Sequence, residues 1–137
     1  MFIMTELCDT IATAESINVY NSGEVSIYYQ GEPPYTKIVE GCIAMIENAH
    51  EMPAFGVSLN DETIAARGVG LWVEFVFKNQ CTHSNMTFEK LLVKVEKDWH
   101  GFNIVRYSSQ NGYSGRCYFL DLSDGDMAYF YDILINL

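Results

Sequence analysis

Residues 71–77 read Leu-Trp-Val-Glu-Phe-Val-Phe, and the other elements of the chain can be placed around this segment. Successive side chains of an extended backbone point to opposite faces, so positions 71, 73, 75 and 77 share one face and positions 72, 74 and 76 share the other. Both faces are apolar except for one glutamate, and β-branched and aromatic residues dominate. The stretch therefore predicts a central β-strand covered on both sides, around which the other elements pack.

Segments on either side of this strand show the periodicities of further strands and helices. Alternation and turn residues predict strands at 17–20, 24–29, 102–107 and 116–122. Apolar spacing predicts helices at 4–15, 36–52 and 60–68, and a closing helix after Ser123-Asp124. In the second helix, Thr36 is the expected N-cap and Pro53 the expected end.

Two segments after the central strand are less regular. Residues 79–87 are polar and are predicted to form a loop. Residues 88–99 fit both one face of a helix and the alternation of a strand, and their β-branched residues favour the strand.

The order of these elements does not follow a regular βαβ alternation. It predicts an α+β fold with a single domain over residues 1–137, in which a mainly antiparallel sheet carries its helices on one face. The chain has no linker, internal repeat or low-complexity segment that would divide it. If the other face of the sheet is partly open, the nine tyrosines of the chain offer side chains for a contact surface.

The charge balance limits the classes of partner. The chain has 18 acidic residues and 8 basic ones, which gives a net charge of −10. An acidic surface repels nucleic acid and anionic membranes, so neither is expected as a direct partner. Solubility and a basic protein partner are the two explanations that this charge leaves open.

The cysteine spacing and the N-terminal residues indicate the cellular compartment that we expect for the protein. The four cysteines at positions 8, 42, 81 and 117 form no Cys-x-x-Cys pair, and Cys42 and Cys117 are expected to act as small buried apolar residues. The first six residues lack the basic region of a signal peptide, and no apolar run approaches the ~18 residues of a membrane span. We therefore expect a cytoplasmic protein with reduced thiols.

Candidate catalytic and metal motifs are weak. Cys81-x-His83 offers two metal ligands without a second pair nearby. The acids from Asp121 to Asp132 differ from a calcium loop, because the glycine is fifth and the last residue is aspartate, so a helix-cap cluster is favoured. The three histidines, at positions 50, 83 and 100, are expected to be exposed near element ends. The sequence predicts no catalytic site, no metal site and no cofactor.

Several acidic residues have no basic residue near them in the sequence, and they indicate a surface that binds a basic partner. Complementary charge speeds encounter and disfavours wrong partners. The predicted partner-binding residues are Asp121, Asp124, Asp126, Glu24, Glu32, Asp61 and Glu62.

A small, acidic, aromatic-rich single domain without a catalytic set resembles the bacterial toxin-immunity proteins. The resemblance covers the whole chain by overall character. It implies a bacterial inhibitor that binds a cognate toxin domain, often a basic nuclease, and neutralises it by occlusion without chemistry. Two alternatives remain: a small regulatory or ligand-binding α+β module with a pocket between sheet and helices, and an enzyme whose site is scattered over loops.

Overall fold

The central strand is longer than predicted. In the computed structural model, which describes residues 4–53 and 56–137, it runs from Leu71 to His83. The described residues form the following helices and strands: α1 (Met4–Ile11), β1 (Ser16–Asn21), β2 (Glu24–Tyr29), α2 (Pro33–Ile46), β3 (His50–Met52), β4 (Val57–Ser58), α3 (Asn60–Arg67), β5 (Leu71–His83), β6 (Met86–Lys94), β7 (Gly101–Tyr107), β8 (Gly115–Arg116), β9 (Tyr118–Asp121) and α4 (Ala128–Ile135).

Seven of the strands form one antiparallel sheet in the order β2-β1-β5-β6-β7-β9-β3. Strand β5 lies between β1 and β6, and its residue Val73 pairs with Val19 on one side and with Val93 on the other. Strands β4 and β8 form a separate two-stranded sheet. The predicted α+β class with a mainly antiparallel sheet is confirmed.

One face of the sheet, here called the helix face, carries the main core. Val73 and Phe75 of β5 are buried there in one apolar cluster with Leu7 of α1, Ile38 of α2 and Phe130 of α4. Odd-numbered positions of β5 supply this contact, as the alternation predicts. None of the described helices is long and apolar enough to cross a membrane.

The opposite face of the sheet, here called the second face, has a smaller buried cluster. Trp72 and Leu92 pack there with Tyr113 from the loop between β7 and β8. The indole nitrogen of Trp72 donates a hydrogen bond to the backbone oxygen of Val69, at 2.8 Å, which holds the segment after α3 against this face. The central strand is therefore covered on both sides, as its sequence predicts.

The boundaries predicted for the second helix are wrong at both ends. Helix α2 begins at Pro33, and Glu32 rather than Thr36 occupies the N-cap position. Proline is favoured at the first helical position because an N–H group there would have no hydrogen-bond partner within the helix. It ends at Ile46, and residues 50–52 form β3, paired with β9. Backbone pairing at the sheet edge thus prevails over the helical spacing of the sequence.

The loop predicted at residues 79–87 is also wrong. Strands β5 and β6 continue as a hairpin to a two-residue turn at Ser84 and Asn85, whose φ angles are 49° and 63°. Positive φ at both positions is the geometry of a tight hairpin turn. The pairing shifts register between Val76 and Cys81, and the side chains there are mostly exposed, which explains the polar sequence. The strand favoured within residues 88–99 is confirmed as far as Lys94.

Candidate functional site

Strand β2 forms one edge of the seven-stranded sheet. It is joined to β1 by a two-residue turn at Ser22 and Gly23, whose φ angles are 52° and 88°. Positive φ at both positions is typical of a type I′ turn, whose twist matches that of the two strands. Every residue of β2 except Tyr28, which is half-buried, is exposed. The predicted first hairpin is confirmed, and it presents an open strand to solvent.

The second face of β2 carries a row of exposed apolar side chains. Directly opposed residues of an antiparallel pair share a face, and Val25 and Ile27 lie opposite Tyr20 and Asn18 of β1. Val25 is 50% exposed, Ile27 is 48% exposed and Tyr29 is 56% exposed. Sequence reasoning recognised the alternation in this strand but did not single out these three residues, since alternation does not reveal which strand lies at an edge.

The main chain of β2 also points outward at alternate residues. The pair that closes a two-residue hairpin exchanges hydrogen bonds, and pairing then alternates along the strands. Ser26 and Tyr28 therefore bond to β1, whereas the N–H and C=O groups of Val25, Ile27 and Tyr29 point away from the sheet. The Tyr29 N–H donates to Oε1 of Glu32 at 2.6 Å, so this carboxylate occupies one end of the edge.

The charged side chains of the hairpin and its sequence flanks all have one sign. The first lysine or arginine of the chain is Lys37, and the hairpin and its flanks contain Glu15, Glu24 and Glu32, all exposed. Two of these glutamates belong to the predicted partner-binding set. The described edge thus combines outward main-chain groups, an apolar row and acidic ends.

The predicted residues Asp121, Asp124 and Asp126 lie elsewhere. Asp121 ends β9, which stands five strand spacings from β2 in the sheet order, a distance on the order of 24 Å. Oδ1 of Asp121 accepts a hydrogen bond from the Ser123 N–H at 2.8 Å, and Oδ1 of Asp126 accepts one from the Ala128 N–H at 2.9 Å. Two of these three carboxylates therefore fix local backbone near the start of α4, whereas Asp124 is simply exposed.

The remaining predicted residues, Asp61 and Glu62, are exposed in the first turn of α3. Acids there interact favourably with the positive end of the helix dipole. The preceding residue, Asn60, accepts a hydrogen bond from the Tyr113 N–H through Oδ1 at 3.0 Å, which ties this end of α3 to the loop on the second face. The seven predicted acids are thus distributed over three regions, and only Glu24 and Glu32 flank the open edge.

A buried carboxylate lies beneath the second face. Glu74, in the middle of β5, is fully buried. Its Oε1 accepts hydrogen bonds from Asn18 Nδ2 at 3.1 Å and from the Tyr20 hydroxyl at 2.9 Å, and its Oε2 accepts one from the Tyr113 hydroxyl. Sequence reasoning missed this cluster, although one acid in an otherwise apolar strand is the signal that could have found it.

Arg67 of α3 completes the cluster. Its Nη1 donates to the Tyr113 hydroxyl at 2.7 Å, and its guanidinium lies 4.5 Å from the centre of the Tyr20 ring. Burial and the Glu74 charge raise the pKa of Tyr20 to about 12 and also raise the pKa of Tyr113. Both hydroxyls therefore remain protonated donors at neutral pH. With Glu74 surrounded by these donors and fully buried, the cluster holds α3 and the loop onto the sheet.

His83 does not match its prediction as an exposed histidine, whereas His50 and His100 are exposed. His83 is buried, with 3% of the residue exposed, and its Nε2 lies 2.6 Å from Oε1 of Glu51. Its Nδ1 is buried without a hydrogen-bond partner among the described residues, and Oε1 of Glu6 lies 3.6 Å away. The Tyr118 ring packs edge-on against the imidazole, so His83 is part of the core at the end of the β5–β6 hairpin.

The cysteines show no activated thiolate. Cys8, Cys42 and Cys117 are buried, and Cys81 is partly buried. Burial raises the pKa of all four thiols, which keeps them protonated at neutral pH. In residues 4–53 and 56–137, no three His, Cys, Asp or Glu side chains are arranged to hold a metal ion.

A polar hollow of about 260 Å³ opens beside the loop that follows β7. Arg106 and Glu89 lie in its wall, together with hydroxyl and amide groups of the loop. Two guanidinium nitrogens of Arg106 donate to the backbone oxygens of Arg116 and Thr87, each at 2.7 Å, and the Glu89 carboxylate accepts a hydrogen bond from the Ser109 hydroxyl at 3.2 Å. Arg106 is therefore partly used in joining β6 to β8, and Glu89 in holding the loop.

No protein-family model, curated protein or solved structure matches this chain. The described residues offer three features that bear on function: the open β2 edge, the dispersed acidic residues and the polar hollow. Of these, the β2 edge combines binding groups of three kinds on one short strand.

Proposed function

We propose that this chain is a non-catalytic, immunity-type inhibitor that binds a basic, nuclease-like toxin domain and blocks it by occlusion. The observation that carries the proposal is the exposed edge strand β2, whose apolar row of Val25, Ile27 and Tyr29 lies between Glu24 and Glu32. An open sheet edge is a ready template for pairing with another chain, and natural proteins usually protect such edges.

The charge and the aromatic side chains have separate tasks in this proposal. The net charge of −10 attracts a basic domain over a distance and raises the association rate. Apolar and tyrosine side chains then supply contact area that is removed from water. Carboxylates take the place of the nucleic-acid phosphates that a basic nuclease binds. Action in the bacterial cytoplasm is part of the proposal, and the four unpaired cysteines agree with a reducing compartment.

Co-expression tests the proposal. The basic domain encoded beside this chain in its native genome is produced in bacteria with and without the chain. We expect the chain to rescue growth, and nuclease activity in vitro to fall to zero at one molar equivalent. Equal lethality in both cultures, with both proteins detected, would contradict the proposal.

A ligand-binding module is the second candidate function, and the polar hollow beside Arg106 and Glu89 favours it. Groups of opposite charge in one hollow suit a small zwitterion such as an amino acid. A ligand that binds only the folded state raises the melting temperature Tm. A panel of amino acids, nucleotides and sugars that leaves the Tm unchanged would remove this candidate.

A further inference from the structure

We propose that the partner inserts an extended basic segment alongside strand β2, so that the sheet gains an eighth strand. This inference rests on the proposed inhibitory function and specifies its contact. The added strand forms main-chain hydrogen bonds with Val25 and Ile27, whose N–H and C=O groups point away from β1.

The length of the docking edge is limited at one end. Glu32 accepts the Tyr29 N–H at 2.6 Å, so a partner strand that used this group would have to displace the carboxylate. At the other end, the turn at Ser22 and Gly23 closes the hairpin. The available main chain is therefore centred on Val25 and Ile27, which is enough for a short strand but not for a long one.

The two faces of β2 define the sequence of the added strand. On the second face, its side chains meet Val25 and Ile27, which favours apolar residues there. On the helix face, they meet Ser26 and the exposed carboxylate of Glu24, which favours lysine or arginine. Because side chains alternate along a strand, the segment should alternate apolar and basic residues.

Charge selects a basic partner over a second copy of this chain. Pairing β2 with its own copy would bring together two molecules that each carry a net charge of −10, with Glu24 near the contact on both. Like charges placed across an interface disfavour the pairing. A basic segment meets the same carboxylates with favourable sign.

The first experiment uses a capped synthetic heptapeptide of alternating lysine and valine, added to the full chain. Hydrogen exchange by NMR is measured for single amides. We expect the exchange of Val25 and Ile27 to slow by about tenfold when the peptide is present at about ten times its Kd. The amides of Ser26 and Tyr28 already bond to β1 and serve as internal controls that change little. A heptapeptide with glutamate in place of lysine should have no effect.

Matched variants separate the main chain from the side chains. Ile27→Pro removes an outward N–H that β1 does not use, a change that an edge strand tolerates, whereas Ile27→Ala keeps the N–H and shortens the side chain. We expect the proline variant to bind the peptide about threefold to tenfold more weakly than the alanine variant. Should the proline variant not fold, Glu24→Lys tests the same edge against Asp124→Lys, the same charge reversal in the segment between β9 and α4, and only the former should weaken binding.

Several results would overturn the inference. These are no peptide binding, no protection of Val25 and Ile27 at saturation, or weakening by Asp124→Lys alone. If the free chain sediments as a dimer and the Ile27→Pro variant sediments as a monomer, the strand that pairs with β2 belongs to a second copy of the chain and not to a basic partner.

The two proposals fail separately. A chain that rescues growth without protection at β2 inhibits through another surface. A chain that is protected at β2 but does not rescue growth binds basic strands without being the proposed inhibitor.

Discussion

The Tyr113 hydroxyl donates a hydrogen bond to the buried Glu74 carboxylate and accepts one from Arg67 at 2.7 Å. These two bonds connect the loop after β7, the central strand and helix α3. A fully buried carboxylate is tolerated only when donors surround it, and Glu74 also receives hydrogen bonds from Asn18 and Tyr20. The second face of the sheet is thus held by polar bonds as well as by its small apolar cluster.

Removing the Tyr113 hydroxyl should destabilise the fold. Tyr113→Phe leaves Glu74 with one donor fewer and Arg67 without its acceptor, while the ring still fills its site. We expect the free energy of unfolding to fall by about 1–3 kcal/mol, measured by urea denaturation. The control is Tyr129→Phe, which removes the hydroxyl of a tyrosine that is 68% exposed and should change little. If both variants lose the same free energy of unfolding, the buried hydroxyl of Tyr113 contributes no more to stability than the exposed hydroxyl of Tyr129.

The same cluster should make stability fall at alkaline pH. The pKa of Tyr20 is raised from 10.0 to about 12 in the folded chain, and that of Tyr113 is raised as well. A raised pKa means that the folded state holds the proton more tightly, so this contribution is complete below pH 10 and is lost as pH rises through the raised values. The buried thiols, such as Cys42, act in the same direction.

Thermal unfolding at increasing pH tests this dependence. The Tm of the native chain should decline as the pH rises from about 9, the ordinary pKa of a thiol, to about 12. Tyr20→Phe cannot ionise at this position, so its Tm should decline less steeply over the same range. Tyrosinate absorbance, recorded in parallel, should rise further as the native chain unfolds at these pH values, because unfolding releases the proton that Tyr20 holds in the folded chain. Identical slopes for the two proteins would contradict the assigned origin of the effect.

The two glutamates beside His83 should contribute unequally to stability. Glu51 is 10% exposed at its side chain and lies 2.6 Å from Nε2, whereas Glu6 is 61% exposed and lies 3.6 Å from Nδ1. We expect Glu51→Gln to lower the free energy of unfolding by about 1–3 kcal/mol and Glu6→Gln to change it by less than about 0.5 kcal/mol. Urea denaturation near neutral pH measures both. The reverse order would place the main partner of His83 on α1.

Much of the fold follows from local patterns. Alternation over residues 71–77 is strong enough to predict the central strand and its two covered faces. Helix α2 is correctly predicted as amphipathic, but its end is not, because residues 50–52 join β9, which lies far along the chain. Residues 79–87 look like a loop because the exposed end of a hairpin needs few apolar side chains.

The candidate site depends on information that local patterns lack. Alternation assigns Val25 and Ile27 to one face, but only the strand order places β2 at an edge, and that order comes from long-range pairing. Local patterns group acidic residues that are close together in the sequence. The fold instead separates Glu24 from Asp121 by most of the width of the sheet.

The acids near α4 offer a last distinction between structural and binding roles. The Asp126 carboxylate accepts the N–H of Ala128, the first residue of α4, whereas Asp124 is exposed. Asp126→Ala should lower the free energy of unfolding by about 1 kcal/mol, the usual net effect of losing one hydrogen bond, and Asp124→Ala should leave it unchanged. Urea denaturation measures both values. If both variants unfold like the native chain yet slow association with the basic partner, these carboxylates belong to the binding surface, and the contact extends far beyond the β2 edge.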